Sequence, residues 1–223
     1  YNRDGVRYAS YIDDVIAGNT KINASVLFPH QLYQAYMNGG NAVAVEAQWN
    51  ALPDYMANST ERILPVCDVS GSMTGLPMDV SVSLGIYISE RNRGIFKDAF
   101  ITFSERPEMN YLKGGLSDRM RQLSTASWGY STNLEATFDL ILNTAVRESL
   151  PESEMPTKLL IISDMEFDSA ADGQTNLDSI RLKYSNAGYK IPEIVFWNVN
   201  GRMGNVPASV EDKGIGLVSG FSP

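Results

Sequence analysis

Apolar positions along the chain follow two regimes, and the change falls near residue 60. Before it the spacing is helical. Val6, Tyr8, Ile12, Val15 and Ile16 fit one stripe of a 3.6-residue repeat, with Gly18-Asn19 as a stop. Pro29 suits the first turn of a second helix through Leu32, Tyr33, Tyr36 and Met37, which Gly39-Gly40 closes. A third helix is expected from Ala42 to about Met56, with Pro53 marking a break or kink. These segments are too short for a core of their own. They are expected to pack on the chain beyond residue 60, or to end a longer helical array.

From Ile63 onward, apolar runs of strand length alternate with helical patterns. The runs predict strands over 63–68, 98–103, 158–163, 193–198 and 215–219. A short edge strand is expected over 108–112, where the preceding Pro107 suits an edge. Helices are predicted over 77–91, 134–146 and 176–186, with Asn133 or Thr132 near the N-cap of the second. Near-continuous apolar strands alternating with helices imply a parallel sheet covered on both faces, joined by right-handed crossovers. The expected fold class is α/β: Rossmann-like, doubly wound, mainly parallel, with one short antiparallel edge strand. The expected organisation is a helical segment over 1–60 followed by the sheet domain over 61–223.

Candidate chemistry sits at the strand ends. Asp68-Val69-Ser70-Gly71-Ser72 follows the apolar run Ile63–Cys67 directly. One carboxylate and two hydroxyls on a turn suit a hard divalent cation, which takes oxygen ligands and keeps several waters. The same five residues would also make an ordinary polar turn. Gly129-Tyr130-Ser131-Thr132-Asn133 supplies another hydroxyl ahead of a helix, and the run Lys158–Ser163 ends in Asp164. Two of these three turns lie at the C-terminal ends of predicted parallel strands, the edge where open α/β sheets bind ligands.

Taken jointly, the three turns resemble the von Willebrand factor A domain with its metal-ion-dependent adhesion site. The resemblance implies that Asp68, Ser70 and Ser72 of the first loop, Thr132 of the second and Asp164 of the third meet around one Mg²⁺, with Mn²⁺ or Ca²⁺ as substitutes. It also implies that the aspartates act directly or through water, and that an Asp or Glu of a protein partner completes the coordination. Trp128, Tyr130, Glu166 and Asp168 would form the rim; for the last two the alternative is a solvated loop. Longer strings extend the likeness. Cys67–Met73, Ser131–Asn133, Ser163–Asp168, Phe196–Asn198, Val218–Phe221 and the stretch from Lys21 to His30 resemble an uncharacterised group of plant, fungal, bacterial and viral proteins, a domain of unknown function. That group is similar in turn to the Ro ribonucleoprotein autoantigen, in which a helical-repeat ring carries a von Willebrand A domain. RNA would be reached through the helical region of a longer protein, of which a stub is present here. The second loop departs from the commoner Gly-Gly-Thr pattern, with Tyr130-Ser131 before Thr132. A covering helix usually comes after the last strand in the resembled fold, so a C-terminal truncation is expected. The start at Tyr1 suggests a fragment or a processed product.

Composition narrows the field. A net charge of −8 over 223 residues argues against a nonspecific nucleic-acid surface. The local basic groups, Arg91, Arg93 and Lys97 and then Arg119 and Arg121, read as solvated helix faces. Cys67 is the only cysteine, so no intrachain disulfide forms; an inert thiol inside a strand and a cytoplasmic setting are expected. No run of about 18 apolar residues occurs, so no membrane helix is expected. His30 reads as a surface or packing residue, and Trp49 and Trp197 as core or interface aromatics. No phosphate-binding loop, His-Glu-x-x-His helix or Gly-x-Ser-x-Gly elbow is present. The expected function is a non-enzymatic, Mg²⁺-dependent protein-binding module. The alternatives are an RNA-associated scaffold of Ro type and a metal-dependent hydrolase with Asp68 or Glu166 as base.

Overall fold

The computed structural model describes residues 5–20, 22–126, 133–164, 173–200 and 214–221. Six strands form one sheet: β1 (Ile63–Cys67), β2 (Ala99–Thr102), β3 (Met109–Tyr111), β4 (Lys158–Ser163), β5 (Glu193–Asn198) and β6 (Ile215–Ser219). Their order is β3-β2-β1-β4-β5-β6. Only the edge pair β2–β3 is antiparallel. The helices are α1 (Gly5–Ile16), α2 (Pro29–Met37), α3 (Ala42–Asn50), α4 (Leu76–Arg91), α5 (Leu116–Ser124), α6 (Leu134–Glu148) and α7 (Gly173–Asn186). This is the α/β arrangement expected from the alternating pattern, Rossmann-like and consistent with the von Willebrand A type. Among the described residues no helix is long and apolar enough to cross a membrane.

Side chains alternate across a strand, so the sheet feeds two cores. Leu64 and Val66 of β1 with Leu159 and Ile161 of β4 face Phe138 and Ile141 of α6 and Ile180 and Tyr184 of α7. Cys67, Leu160, Ile162 and Trp197 face the opposite way, toward α4. Every residue from Val80 to Ser89 of α4 is buried. A helix without a polar face must be covered on all sides, and here the sheet covers one side and α2, α3 and α5 the other. Two of its hydroxyls are satisfied within the helix itself: Ser83 donates to the Val80 carbonyl and Ser89 to that of Ile86. Gly85 lies against β1, where a Cβ would collide with Cys67 Sγ.

The helical segment is bonded to α4 along its length. Gln34 Nε2 donates to Asp79 Oδ2 at 2.7 Å near the start of α4. Trp49 Nε1 donates to Glu90 Oε2 at 2.8 Å near its end. Tyr87 donates to the Pro53 carbonyl and accepts from the Tyr55 N–H. Both Trp49 and Trp197 are buried, as expected.

Three expectations are corrected and one further helix is added. The stripe on α1 is mostly solvent-facing: only Ile12 is buried, while Val6 is 86% and Ile16 62% exposed, because α1 packs on α3 alone among its larger contacts. The third helix ends at Asn50 rather than near Met56, since Pro53 disfavours helical geometry at the residue before it. Leu52 and Met56 still reach the core from the turns after the helix. Helix α5 had no counterpart in the predicted elements; its stripe is only Leu116, Met120 and Leu123 within a polar run. Finally, Arg91 and Arg119 are not solvated. The Arg91 guanidinium lies 3.7 Å over the Tyr87 ring, and Arg119 Nη1 bonds Asp98 Oδ1 at 2.6 Å.

Candidate functional site

The first loop leaves β1 at the C-terminal edge of the sheet. Asp68 N–H still donates to the Ile162 carbonyl of β4 at 3.0 Å, so the carboxylate starts from a fixed backbone position. Asp68 Oδ1 then accepts the Ser70 N–H at 2.8 Å, a side-chain turn typical of aspartate. A single 3-10 turn over Gly71–Met73 comes next, anchored by the fully buried Met73. Thr74 Oγ1 donates to the Gly71 carbonyl at 2.7 Å, and α4 begins at Leu76 after Gly75, whose φ of 94° favours glycine. The outcome is that Ser70 and Ser72 hydroxyls lie 3.0 Å apart at the surface, above a buried carboxylate.

The third loop arrives beside it. Asp164 comes directly after β4 and is 3% exposed; Asp68 is 6% exposed. The two carboxylates are close enough for the charge of Asp164 to act on Asp68. Burial pushes the Asp68 carboxyl above its ordinary range, and Asp164 adds to that rise. Hydrogen bonds from the Ser70 N–H, Ser163 and the Ser70 side chain pull the other way without cancelling it. Among the described residues no three His, Cys, Asp or Glu side chains converge.

The second loop is described from Asn133. Its N–H meets the Ser104 carbonyl at 3.4 Å, and its side chain caps α6 by accepting the Ala136 N–H at 2.9 Å. Ser104 lies just past β2, next to Phe103, whose N–H donates to the Cys67 carbonyl. The start of α6 is thus tied to the same edge as Asp68. Thr132, Trp128, Tyr130, Glu166 and Asp168 lie outside the described residues.

Asp68, Ser70, Ser72 and Asp164 therefore share one edge of the sheet. Two participants were not singled out from sequence, Ser163 and Ser104. Ser163 Oγ donates to Asp68 Oδ2 at 2.7 Å. A usable signal existed for it: Cys67 pairs with Ile162, so the next residues on the two strands are neighbours on one face. Cys67 itself is buried in β1. Burial, then the Asp68 charge, push its thiol far up, which leaves it unreactive. His30 is half-buried, stacked on Phe28 with centroids 5.9 Å apart. Asp139, on the surface of α6, pairs with Lys183 of α7 at 2.9 Å.

Comparison with known proteins adds three findings. The family described as "Domain of unknown function (DUF7788)" matches residues 62–223. The uncharacterized protein L728 of Acanthamoeba polyphaga mimivirus is 34% identical over 222 residues, which covers 96% of this chain and 39% of the viral protein. The crystal structure of the Deinococcus radiodurans Ro (RSR) protein is similar with a TM-score of 0.56 at 16% identity, over 100% of this chain and 47% of that one. At that identity the likeness concerns the fold. The chain spans less than half the length of either protein.

Proposed function

The chain belongs to the family described as "Domain of unknown function (DUF7788)", and from that membership and the geometry of the loop ends we propose that it is a divalent-cation-dependent binding module for a protein partner. The observation that carries the reading is the pair of buried carboxylates, Asp68 and Asp164, close enough for the charge of one to act on the other, beside the paired hydroxyls of Ser70 and Ser72. Buried charge of one sign is costly unless a counter-charge joins it. A divalent cation supplies that counter-charge, and the donor set fits a hard ion. Oxygens at about 2.1 Å from Mg²⁺ sit about 3.0 Å apart at neighbouring octahedral positions. The Ser70 and Ser72 hydroxyls have that spacing already.

Ser70 and Ser72 would hold the ion directly. Both oxygens of Asp68 already accept protein hydrogen bonds, which suits it to act through water and to lend charge from below. Asp164 would do the same from the third loop. Thr132, from its place in the sequence, would add a hydroxyl. When bound, the cation offers an exposed positive centre for a carboxylate of another protein. Mg²⁺ is the proposed ion, with Mn²⁺ and Ca²⁺ as substitutes.

Calorimetric titration with Mg²⁺, Mn²⁺ and Ca²⁺ tests the first half of the proposal. Asp68→Ala and Ser70→Ala should abolish binding. Capture of partners from the native host, with and without chelator, tests the second half; a partner held equally in chelator by both variants would refute it. The fold likeness to the Ro protein favours an RNA-associated scaffold as the second reading. Against it, Arg91 and Arg119 are committed to Tyr87, Glu90 and Asp98 and are not free to meet phosphates. RNA retention that falls steeply with salt would reverse that order. Metal-dependent turnover lost in Asp68→Ala would put a hydrolase first.

A further inference from the structure

We infer that Ser163 is a positioning residue of this site: its hydroxyl fixes the Asp68 carboxylate relative to the third loop and thereby sets the affinity for the cation. The inference rests on the proposed cation site and goes beyond its ligands. Three observations carry it. Ser163 is the last residue of β4 and is 1% exposed, so its rotamer is held by packing. The parallel register that pairs Cys67 with Ile162 places Ser163 next to Asp68, and alternation puts both side chains on the α6 side of the sheet. The hydroxyl then donates to Asp68 Oδ2 at 2.7 Å while the Ser70 N–H holds Oδ1 at 2.8 Å.

Both carboxylate oxygens are thus clamped, one from the first loop and one from the end of β4. Asp68 cannot rotate without breaking a charge-assisted hydrogen bond. Ser163 is also bonded in sequence to Asp164, so one residue ties the two acidic loops together. Its backbone is fixed from the far side as well, since the Val199 N–H donates to the Ser163 carbonyl at 3.1 Å. The hydroxyl has no place in the ligand set itself. It acts through Asp68, as hydrogen-bond partners of metal-binding groups commonly do.

The test is Mn²⁺ affinity by calorimetry and by electron paramagnetic resonance, on the full chain and three variants. Ser163→Ala should weaken binding by about 10- to 100-fold. Ser163→Thr, which keeps the hydroxyl, should stay within about threefold of the natural protein, and Ser163→Cys, a weak donor of similar size, should fall between. If Ser163→Ala does not fold, the Thr-to-Cys difference carries the test. A Ser163→Ala protein that melts earlier without metal yet binds Mn²⁺ like the natural one would overturn the inference, and so would equal affinity of the Thr and Cys variants. A natural protein that binds no Mn²⁺ at all would instead remove the cation site on which it rests.

Discussion

Removing residues 1–60 should prevent the remaining chain from folding, even though the family match begins at residue 62. The segment places Leu32, Tyr33, Val45, Trp49, Leu52 and Met56 in the same core as α4, each at most 8% exposed. Burying a large apolar side chain contributes about 1.5–3 kcal/mol. Deletion uncovers a comparable area on α4, whose residues 80–89 are all buried. The loss is on the order of 10 kcal/mol, against a typical net stability of about 5–15 kcal/mol. Glu90 would also lose its bond from Trp49; burial already raises its carboxyl above the ordinary range. The assay is urea unfolding and amide dispersion of a chain starting at Glu61. In the full chain, Trp49→Ala should cost about 3–5 kcal/mol, and amide exchange in β4, on the far side of α4 from Trp49, should quicken accordingly. A dispersed, cooperatively unfolding 61–223 fragment, or unchanged β4 exchange in Trp49→Ala, would refute the reasoning.

Individual contacts give two further outcomes. Burial holds His30, the chain's single histidine, below its ordinary 6.5, outweighing a hydrogen bond to the Phe221 backbone and the charge of Asp79. On acidification the unfolded state then takes up the proton first, so His30 makes stability fall as pH drops below about 6.5. Buried Asp68 and Glu90, with raised values, act in the reverse sense at lower pH. Urea midpoints between pH 7.5 and 5.5 should slope less in His30→Gln than in the natural chain; identical slopes would count against the argument. Gly85→Ala should cost about 1–3 kcal/mol by overpacking against Cys67. Thermal unfolding should show part of that cost recovered when Cys67→Ala is added, and strict additivity would refute the contact.

The sheet was legible because its strands are unusual as sequences. Lys158–Ser163, Glu193–Asn198 and Ile215–Ser219 coincide with the predicted runs to the residue; the first is buried on both faces and reads as an unbroken apolar run, whereas the last is legible from its apolar run although none of its residues is buried. The same logic misled on α1. A stripe of apolar residues predicts burial only if something lies against it, and α3 covers little more than Ile12. Helix α5 escaped notice for the opposite reason. Three apolar residues among Ser117, Asp118, Arg119, Arg121 and Gln122 carry too little periodic signal, yet Leu116, Met120 and Leu123 suffice to seal the flank of α4. At the site, Asp68 and Asp164 were visible because each closes an apolar run. Ser163 was not, because its role arises from inter-strand register, which no single run contains.

The helical segment supplies none of the proposed ligands, yet the packing gives it a part in the site. Loop one runs without slack from β1 into α4: buried Met73 comes straight after Ser72, and the helix starts at Leu76. Whatever fixes α4 therefore fixes the Ser70–Ser72 hydroxyl pair. Helix α4 is held at its start by Gln34 on Asp79 and at its end by Trp49 on Glu90. It is pressed on β1 at Gly85, where no side chain intervenes. A helix pinned at both ends and in the middle cannot pivot, so the 3.0 Å spacing of the hydroxyls is set before any ligand arrives. Preorganisation of this kind lowers the ordering cost of binding. The family match begins at residue 62, whereas the physical unit that shapes the site reaches back at least to α2, within the stretch that the viral relative also covers.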